Sequence, residues 1–236
     1  MQNRLPVVIL LTAAVVSPAD GQGTFRNLNF EMANVTALPS GQYGSLTGVS
    51  SLDALPGWTV YIGSAETSHV LHNNLTSGSA SVSILGPIWN NAAGATVISG
   101  NYSAVLQAGD LNGAHVSATI AQDGTVPADA KSIQMRVNAF EGYGLGVFLG
   151  SQYIPMVILG GQSAGDMLVG GDVSSYSGKL EELRLSSLTF PTGQFGSFAV
   201  DDIVFSAQQI PEPETVTLLL CGGTVLGLRR RRGLGR

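Results

Sequence analysis

The chain has a single cysteine among its 236 residues, and this residue, Cys221, lies in an apolar run near the C-terminus. The rest of the sequence therefore offers neither a disulfide nor a thiol nucleophile. Cys221 itself suits a small apolar position in a membrane segment, with lipidation as the alternative. Functions that need cysteine chemistry in the body of the protein are excluded.

Charged residues are also scarce, at 11% of the sequence. Residues 22 to 210 contain five Lys or Arg and thirteen Asp or Glu, a net charge of −8. No cluster of basic residues lies in this body. Because nucleic-acid binding relies on cations that neutralise phosphates, nucleic acid is not an expected partner.

Histidine and nucleophile motifs are weak. His69 and His72 lie three positions apart, which places them on opposite faces of a strand, so a shared zinc is not expected. The GQSAG stretch at 161–165 matches a nucleophile elbow, but a glycine-rich segment follows it instead of a helix, and no histidine occurs after His115. We interpret this stretch as a turn.

Acidic residues leave one enzymatic alternative open. Glu141, Asp166, Glu181 and Glu182 are available for the carboxylate pair of a glycoside hydrolase, although no spacing singles out a pair. We expect a protein that is not an enzyme, with a glycan-active hydrolase as the rival interpretation.

Long apolar runs occur only at the two ends of the chain. Residues 1–21 carry Arg4, an apolar segment from Leu5 to Val16 and then small residues, a pattern typical of a secretory signal peptide. Between the ends, residues 22–207 are predicted to form one domain, which is long enough for a sizeable core.

The C-terminal segment, residues 208–236, has three parts. Pro211, Glu212 and Pro213 precede an apolar run of about 14 residues (Thr215 to Leu228). Four arginines follow the run: Arg229, Arg230, Arg231 and Arg232. This arrangement resembles the PEP-CTERM sorting signal of bacterial exported proteins. The resemblance implies an exosortase-type membrane enzyme as a partner, with cleavage near the Pro-Glu-Pro.

The charges at both ends predict the same membrane topology. Arginine clusters tend to stay on the cytoplasmic side, so Arg4 and the terminal arginines place the body outside. An apolar helix of about 14 residues spans roughly 21 Å, less than the roughly 30 Å of a bilayer core. A short C-terminal helix of this length favours a transient anchor in the inner membrane over a permanent span.

The sequence of the body predicts an all-β protein. Short apolar or alternating runs recur between Gly, Asn, Asp, Ser and Pro, and 31 glycines supply tight turns. Strands are predicted for Thr24 to Glu31, Gly57 to Ile62, Ala80 to Leu85, Thr96 to Ser99, Tyr102 to Ala108, His115 to Ala121, Ser132 to Ala139, Leu145 to Leu149, Tyr153 to Leu159, Lys179 to Leu185 and Ser197 to Ser206. Pro39 to Leu55 is predicted to be a long loop. The pattern favours a single jelly-roll β-sandwich.

Four stretches carry a family resemblance: NLNFE (27–31), PGW (56–58), YSAVLQAG (102–109) and FAVDDIVFS (198–206). They are similar to the corresponding stretches of galactose-binding-like jelly rolls, including bacterial carbohydrate-binding modules. The resemblance implies one structural Ca²⁺, with Glu31 and Asp201 as the preferred side-chain ligands. Calcium takes 6–8 oxygen ligands, so backbone carbonyls would complete such a site.

Two aromatic residues are candidate sugar contacts. Trp89, in the polar stretch GPIWNN, and Tyr143, in EGYGLG, are both predicted to be exposed. Trp58 is instead predicted to fill the core. The expected function is that of an exported surface or extracellular-matrix protein whose body associates with exopolysaccharide. The alternative is a purely structural surface protein without a ligand.

Overall fold

The computed structural model describes residues 22–39, 46–89, 96–141, 144–161, 166–189 and 196–210. The predicted signal peptide lies outside these residues, as do Tyr143 and the part of the predicted sorting signal from Pro211 onward. One short helix, α1 (Ser51–Ala54), and one 3-10 turn (Ser174–Tyr176) are present in the described part. The strands are β1 (Gly48–Ser50), β2 (Thr59–Ile62), β3 (Ala65–Glu66), β4 (His69–His72), β5 (Ser81–Leu85), β6 (Ser103–Gln107), β7 (Gly109–Leu111), β8 (Ala114–Val116), β9 (Ala118–Thr125), β10 (Ser132–Glu141), β11 (Leu145–Leu149), β12 (Gln152–Tyr153), β13 (Val157–Gly161), β14 (Met167–Asp172), β15 (Leu180–Ser187) and β16 (Ser197–Ser206).

Two large sheets pack face to face. An eight-stranded sheet has the order β1-β4-β5-β6-β16-β10-β14-β13, and a six-stranded sheet has the order β12-β11-β15-β9-β2-β3. The hairpin β7–β8 stands apart from both sheets. Among the strand pairs, β4 and β5 are parallel and the others are antiparallel. The predicted all-β sandwich is confirmed, while its jelly-roll topology stays a prediction.

Alternating side chains explain how each sheet acquires one buried face. In β10, Ile133, Met135 and Val137 are fully buried in the core between the sheets. The intervening residues, Gln134 and Arg136, are partly exposed on the outer face. This alternation is what a strand with one face against the core requires. The outer faces are therefore the places where polar residues are available for function.

A β-bulge in β16 resolves a conflict in its sequence. Strict alternation through Asp201, Asp202 and Ile203 would turn Asp202 into the core and Ile203 outward. The pairing of β16 with β10 shifts register between Gln134 and Arg136, and Asp202 takes a left-handed φ of 47°. Ile203 is consequently buried in the core, and its amide donates to the Leu28 carbonyl at 3.0 Å. The bulge thus keeps Asp202 out of the apolar interior and lets Ile203 enter it.

The predicted strand from Thr24 to Glu31 is wrong. These residues form a strap of turns, because Asn27 and Phe30 adopt left-handed φ values of 51° and 57° that interrupt an extended chain. The strap is fixed by Phe25, Leu28 and Phe30, which are all buried in the core. These contacts with the sheets hold the segment in place without strand pairing. Glu31 therefore follows a turn and does not close a first strand.

Three other local predictions need correction. The predicted loop from Pro39 to Leu55 contains β1 and α1, because β1 pairs with the partly buried strand β4. Thr96 to Ser99 is not a strand: its backbone is held over the eight-stranded sheet by side chains, as when the Ile98 amide donates to Ser103 Oγ at 2.9 Å. The strands β3, β4, β7 and β14 were not predicted, since short runs rich in Gly, Ser or His have weak strand signals.

Neither helix in the described part of the chain has the length and apolar character needed to cross a bilayer. The predicted C-terminal helix belongs to the residues outside that part.

Candidate functional site

A groove of about 470 Å³ lies on the outer face of the six-stranded sheet. We call it the aromatic groove. It combines aromatic rings, hydroxyl groups and one ion pair. Its lining includes Tyr61, Ser117, Thr119, Ala121, Phe148, Glu182, Arg184, Ser186 and Leu188.

Strand register explains why these side chains meet. Phe148 is paired with Tyr153 on one side and with Arg184 on the other, and Arg184 is paired in turn with Ala121. A second row runs from Ser186 through Thr119 to Tyr61. Directly opposite residues in an antiparallel pair point to the same side, with Cβ atoms about 4.5–5.5 Å apart. The two rows therefore form one continuous surface across five strands, from β12 to β2.

Arg184 is the most connected polar residue of the groove. Its Nε lies 3.0 Å from Glu182 Oε1, and one terminal nitrogen donates to the Gly150 carbonyl at 3.2 Å. The guanidinium carbon is 5.4 Å from the centre of the Phe148 ring, within the range of a cation–π contact. About 40% of the side chain remains exposed, so the group is held in place and still accessible.

One groove-lining ring, Phe148, has a second ring beside it on the neighbouring strand β12. Phe148 and Tyr153 meet edge to face with centroids 5.5 Å apart, and Tyr153 is 50% exposed. Gly146 lies two positions before Phe148 on the same side of β11, and a Cβ on it would come within 2.9 Å of the Phe148 ring. The absence of that side chain leaves room for the ring to lie along the sheet.

Hydroxyl groups form the floor beside the rings. Thr119 Oγ1 and Ser186 Oγ are 2.8 Å apart, in a hydrogen bond shielded from solvent. The Glu182–Arg184 pair has no net charge, and the floor is neutral. The rings can stack on apolar faces of a ligand, and the carboxylate and the guanidinium can accept and donate hydrogen bonds. This combination suits a neutral ligand that has apolar faces and many hydroxyls.

The two predicted calcium ligands hold opposite sides of one segment, Ser99 to Ser103. Glu31 accepts hydrogen bonds from the Asn101 amide at 2.7 Å, the Asn101 side chain at 2.9 Å and the Tyr102 amide at 2.9 Å. Asp201 Oδ2 accepts from Ser103 Oγ at 2.6 Å and from the Ser99 amide at 3.2 Å. The carboxylates therefore meet the same loop, although on separate donors.

The two carboxyl groups have opposite pKa shifts. Burial raises the pKa of Asp201 to about 7, because its effect is larger than that of the hydrogen bonds from Ser103, Asp202 and Ser99, which lower the pKa. The negative charge of Asp202 adds a smaller increase. Partial burial would also raise the pKa of Glu31, but hydrogen bonds from Tyr102 and Asn101 lower it overall. Asp201 is fully buried, whereas Glu31 is partly exposed.

The described residues include no group of three or more His, Cys, Asp or Glu side chains able to hold a metal ion. A calcium site here would have to combine Glu31 and Asp201 with backbone carbonyls. Each carboxylate has about four lone-pair positions and accepts three hydrogen bonds, so oxygen remains available on each. Carboxylate oxygens are of the kind that calcium binds, and a site that joins Glu31 and Asp201 stays a prediction.

Trp89 and Trp58 occupy different environments. Trp89 is half-buried and packs with Leu75, Val97 and Ile98 against a small cluster on the outer face of the eight-stranded sheet. It is not part of the aromatic groove. Trp58 is buried as predicted, with its Nε1 donating to the Asn27 carbonyl at 3.1 Å and its ring 5.9 Å from that of Phe30.

The carboxylates available for a hydrolase are distributed over both sheets. Asp166 is buried beside Arg136 of β10 in the eight-stranded sheet, at 2.9 Å from the arginine Nε. Glu181 and Glu182 are successive residues of β15 in the other sheet, so their side chains start on opposite faces. The Glu141 side chain and residues 162–165 of the GQSAG stretch lie outside the described part.

Apart from Glu182, which was named as a candidate carboxylate, sequence reasoning missed the residues of the aromatic groove, although one signal for Phe148 was available. In LGVFL, Leu145, Val147 and Leu149 alternate as buried residues, which turns Phe148 outward. That alternation marks an aromatic ring on an exposed face. The juxtaposition of Phe148 with Arg184 depends on which strands become neighbours, which local pattern does not reveal.

No protein-family model matches the chain, and no curated protein matches it. Several solved structures are similar. TmCBM61 in complex with beta-1,4-galactotriose has 11% identity and a TM-score of 0.37, covering 79% of this chain and 99% of that one. A family 11 carbohydrate-binding module from Clostridium thermocellum, in complex with a beta-1,3-1,4-mixed-linked tetrasaccharide, has 11% identity and a TM-score of 0.36, covering 69% and 96%.

The enzymatically active domain of tailspike protein 4 of bacteriophage CBA120 is also similar, with 12% identity and a TM-score of 0.38. The match covers 78% of this chain but spans only 21% of the tailspike chain. Likenesses this distant carry no argument about ligand or activity, so the function has to be argued from the aromatic groove itself.

Proposed function

We propose that the body of this protein is a non-catalytic glycan-binding module that holds a neutral polysaccharide in the aromatic groove. The observation that carries the proposal is the row formed by Tyr153, Phe148 and Arg184 on the outer face of the six-stranded sheet. A pyranose ring has apolar C–H faces that stack on aromatic rings and hydroxyls that pair with charged side chains. The groove offers both kinds of contact next to each other.

Strand geometry favours binding over catalysis at this place. Contacts on the outer face of a sheet are fixed by the strands themselves, so the groove is organised before the ligand arrives. Glu182, the carboxylate in the groove, is paired with Arg184 at 3.0 Å, an arrangement suited to orienting hydroxyls. A polysaccharide that lies across the sheet would cross several strands and contact both rows.

The setting of this module is inferred from the two ends of the sequence. We propose that the protein is exported, that an exosortase-type enzyme processes the Pro-Glu-Pro segment after transient anchoring in the inner membrane, and that the released body associates with exopolysaccharide at the cell surface. One structural Ca²⁺, held by Glu31 and Asp201 with backbone carbonyls, would fix the segment from Ser99 to Ser103.

Truncation of the rings tests the proposal. Phe148→Ala and Tyr153→Ala, alone and together, are compared with the wild-type chain by affinity electrophoresis in gels containing mixed-linkage β-1,3-1,4-glucan, β-1,4-galactan or xyloglucan. We expect retardation by at least one polysaccharide and a loss of affinity of about tenfold or more, equivalent to ~1.4 kcal/mol, in each variant.

Leu52→Ala is the matched control, since Leu52 is 78% exposed on α1 and lies outside the groove. It should bind as the wild-type chain does. If the double variant retains full affinity, the aromatic groove is not the binding site. If the wild-type chain binds none of the polysaccharides, a structural surface protein without a ligand becomes the better interpretation.

A further inference from the structure

A second groove, of about 420 Å³, lies on the outer face of the eight-stranded sheet. Gln134 and Arg136 of β10, Asp202 and Val204 of β16, Leu168 of β14 and Gln208 line it. We call it the arginine groove. Because the outer faces of a sandwich point in opposite directions, the two grooves lie on opposite sides of the molecule.

Arg136 at the centre of this groove is fixed by two carboxylates. Its Nε lies 2.9 Å from Oδ2 of the buried Asp166, and one terminal nitrogen lies 3.7 Å from Asp202 Oδ2. Asp166 is 6% exposed and is not among the residues that line the groove, whereas Asp202 is 37% exposed and lines it. The outer end of the arginine and the Asp202 carboxylate together present a donor next to an acceptor.

The β-bulge in β16 is what brings Asp202 to this place. Asp202 is the extra residue of the bulge and adopts a left-handed φ of 47°. For any residue other than glycine, this conformation is unfavourable in free energy. Bulges often redirect a side chain at a functional site. Here the redirected side chain is the exposed carboxylate of the groove.

The two grooves have the same central chemistry. Residues 22–210 contain only three arginines, and two of them, Arg184 and Arg136, lie in a groove beside a partly exposed carboxylate. In the arginine groove, the amides of Gln134 and Gln208 add donors and acceptors, and Val204 and Leu168 add apolar surface. A hydroxyl-rich ligand without charge suits this set, because the guanidinium and the carboxylate each bind hydroxyls.

We propose that the arginine groove is a second saccharide-binding site, so that one molecule binds two polysaccharide chains on opposite faces and cross-links them. This proposal rests on the proposed function of the aromatic groove. Its specific consequence is bivalency: the protein would join glycan chains into a network, as a matrix component does, whereas a single-site module would only decorate them.

The test compares stoichiometry with cross-linking for the purified full-length chain. Titration calorimetry with the oligosaccharide of whichever probe polysaccharide the chain binds, mixed-linkage β-glucan, β-1,4-galactan or xyloglucan, should give two sites per molecule. Light scattering with the high-molecular-weight form of the same polysaccharide should rise as protein is added. Sedimentation without glycan establishes whether the protein alone is monomeric.

The variants are Asp202→Asn combined with Gln134→Ala for the arginine groove, and Phe148→Ala for the aromatic groove. Asparagine tolerates a left-handed φ, so D202N removes the charge without breaking the bulge. Each set should reduce the stoichiometry to one and abolish the scattering increase. Asp129→Asn, an equal change of charge at an exposed turn residue outside both grooves, should behave as the wild-type chain.

The outcomes separate the two proposals. One site per molecule, with scattering unaffected by D202N/Q134A, overturns the second site and leaves the aromatic groove standing. Complete loss of binding in D202N/Q134A, with an unchanged unfolding temperature, also overturns bivalency, because the arginine groove would then be the single site. A wild-type chain that binds none of the three polysaccharides overturns both proposals.

Discussion

Arg184 makes three contacts in the aromatic groove that a lysine does not reproduce together. Its planar guanidinium pairs with Glu182, donates to the Gly150 carbonyl and lies over the Phe148 ring. Lysine keeps the charge but is a compact ammonium without the fork of donors. The shape of the group, more than its charge, therefore organises this end of the groove.

We expect Arg184→Lys to weaken polysaccharide binding about tenfold while changing the free energy of unfolding by less than about 1 kcal/mol, since the ion pair is partly exposed. Affinity electrophoresis and thermal unfolding measure the two effects. Lys179→Arg is the reverse control, because Lys179 lies at 5.8 Å from the centre of the Tyr176 ring and outside the groove. If R184K and the wild-type chain bind the polysaccharide with equal affinity, a point charge at this position is sufficient for binding and the shape of the guanidinium is not required.

Asp201 should make stability depend on pH. Its folded pKa is about 7, above the ordinary value of 3.8, so between these two values the folded state binds a proton that the unfolded state lacks. The free energy of unfolding therefore falls as pH rises across this window, by up to about 1.4 kcal/mol per unit. The charged group that acts on Asp201 is Asp202, and Arg136 lies opposite Asp201 in the strand register.

Urea unfolding in calcium-free buffer at pH 5 and pH 7 measures this slope, and Asp201→Asn should flatten it. Glu31 acts in the opposite sense, because its lowered pKa contributes stability that is lost only below about pH 4.5.

Calcium, if it binds as proposed, should raise stability more at pH 7 than at pH 5, and Glu31→Gln should remove that gain. A calcium-independent unfolding temperature at both pH values would contradict the metal site.

At the scale of elements, the strap at residues 24–31 shows where local pattern fails. The residues from Asn27 to Glu31 alternate between polar and apolar side chains, as in a strand. Nevertheless, Phe25 stacks on Phe205 at 5.1 Å, and the Leu28 carbonyl accepts a hydrogen bond from the Ile203 amide. These contacts are with residues more than 170 positions away. Long strands such as β10 and β16 were predicted because one face of each is buried in the core, which leaves a clear alternation in the sequence. The strap and the short strands depend on tertiary contacts.

The two grooves follow the same rule. The outward direction of Phe148 follows from the alternation in its own strand, and Asp201 of β16 was predicted from sequence as a calcium ligand. What sequence could not supply was the bulge that places Asp201 under a loop and Asp202 in a groove. That outcome depends on Leu28 accepting the Ile203 amide and on Arg136 lying opposite.

Gly124 tests how the strap is attached. A Cβ on Gly124 would come within 2.5 Å of the Phe25 ring, which lies against Phe205. We therefore expect Gly124→Ala to lower the free energy of unfolding by about 1–3 kcal/mol through overpacking. Gly160→Ala is the matched control, since a Cβ there meets nothing within 4 Å. Chemical denaturation compares both with the wild-type chain, and an unchanged G124A would mean that the strap is loosely held.

At the scale of the whole molecule, the described body ends in a packed residue. Ile210 is 8% exposed, and a Cβ on Gly170 would come within 2.5 Å of its side chain. The Gln208 carbonyl accepts from Ser132 Oγ at 2.8 Å, so the chain is attached to β10 up to this point. The Pro-Glu-Pro motif of the predicted sorting signal begins one residue later, at Pro211. A cut near the Pro-Glu-Pro would therefore remove none of the contacts described here.

The intact mass of the protein purified from the surface or medium of its own host tests the sorting proposal. We expect a chain that lacks residues 1–21 and the residues beyond about Pro213, with the unfolding temperature of the uncut body, since the described packing ends at Ile210. Replacement of Pro211, Glu212 and Pro213 by alanine should leave the arginine tail in place and hold the protein in the membrane fraction. An unaltered host protein that keeps Arg229 to Arg232 would contradict cleavage. The body would then remain anchored, and its two grooves would act at the membrane surface instead of in a released matrix.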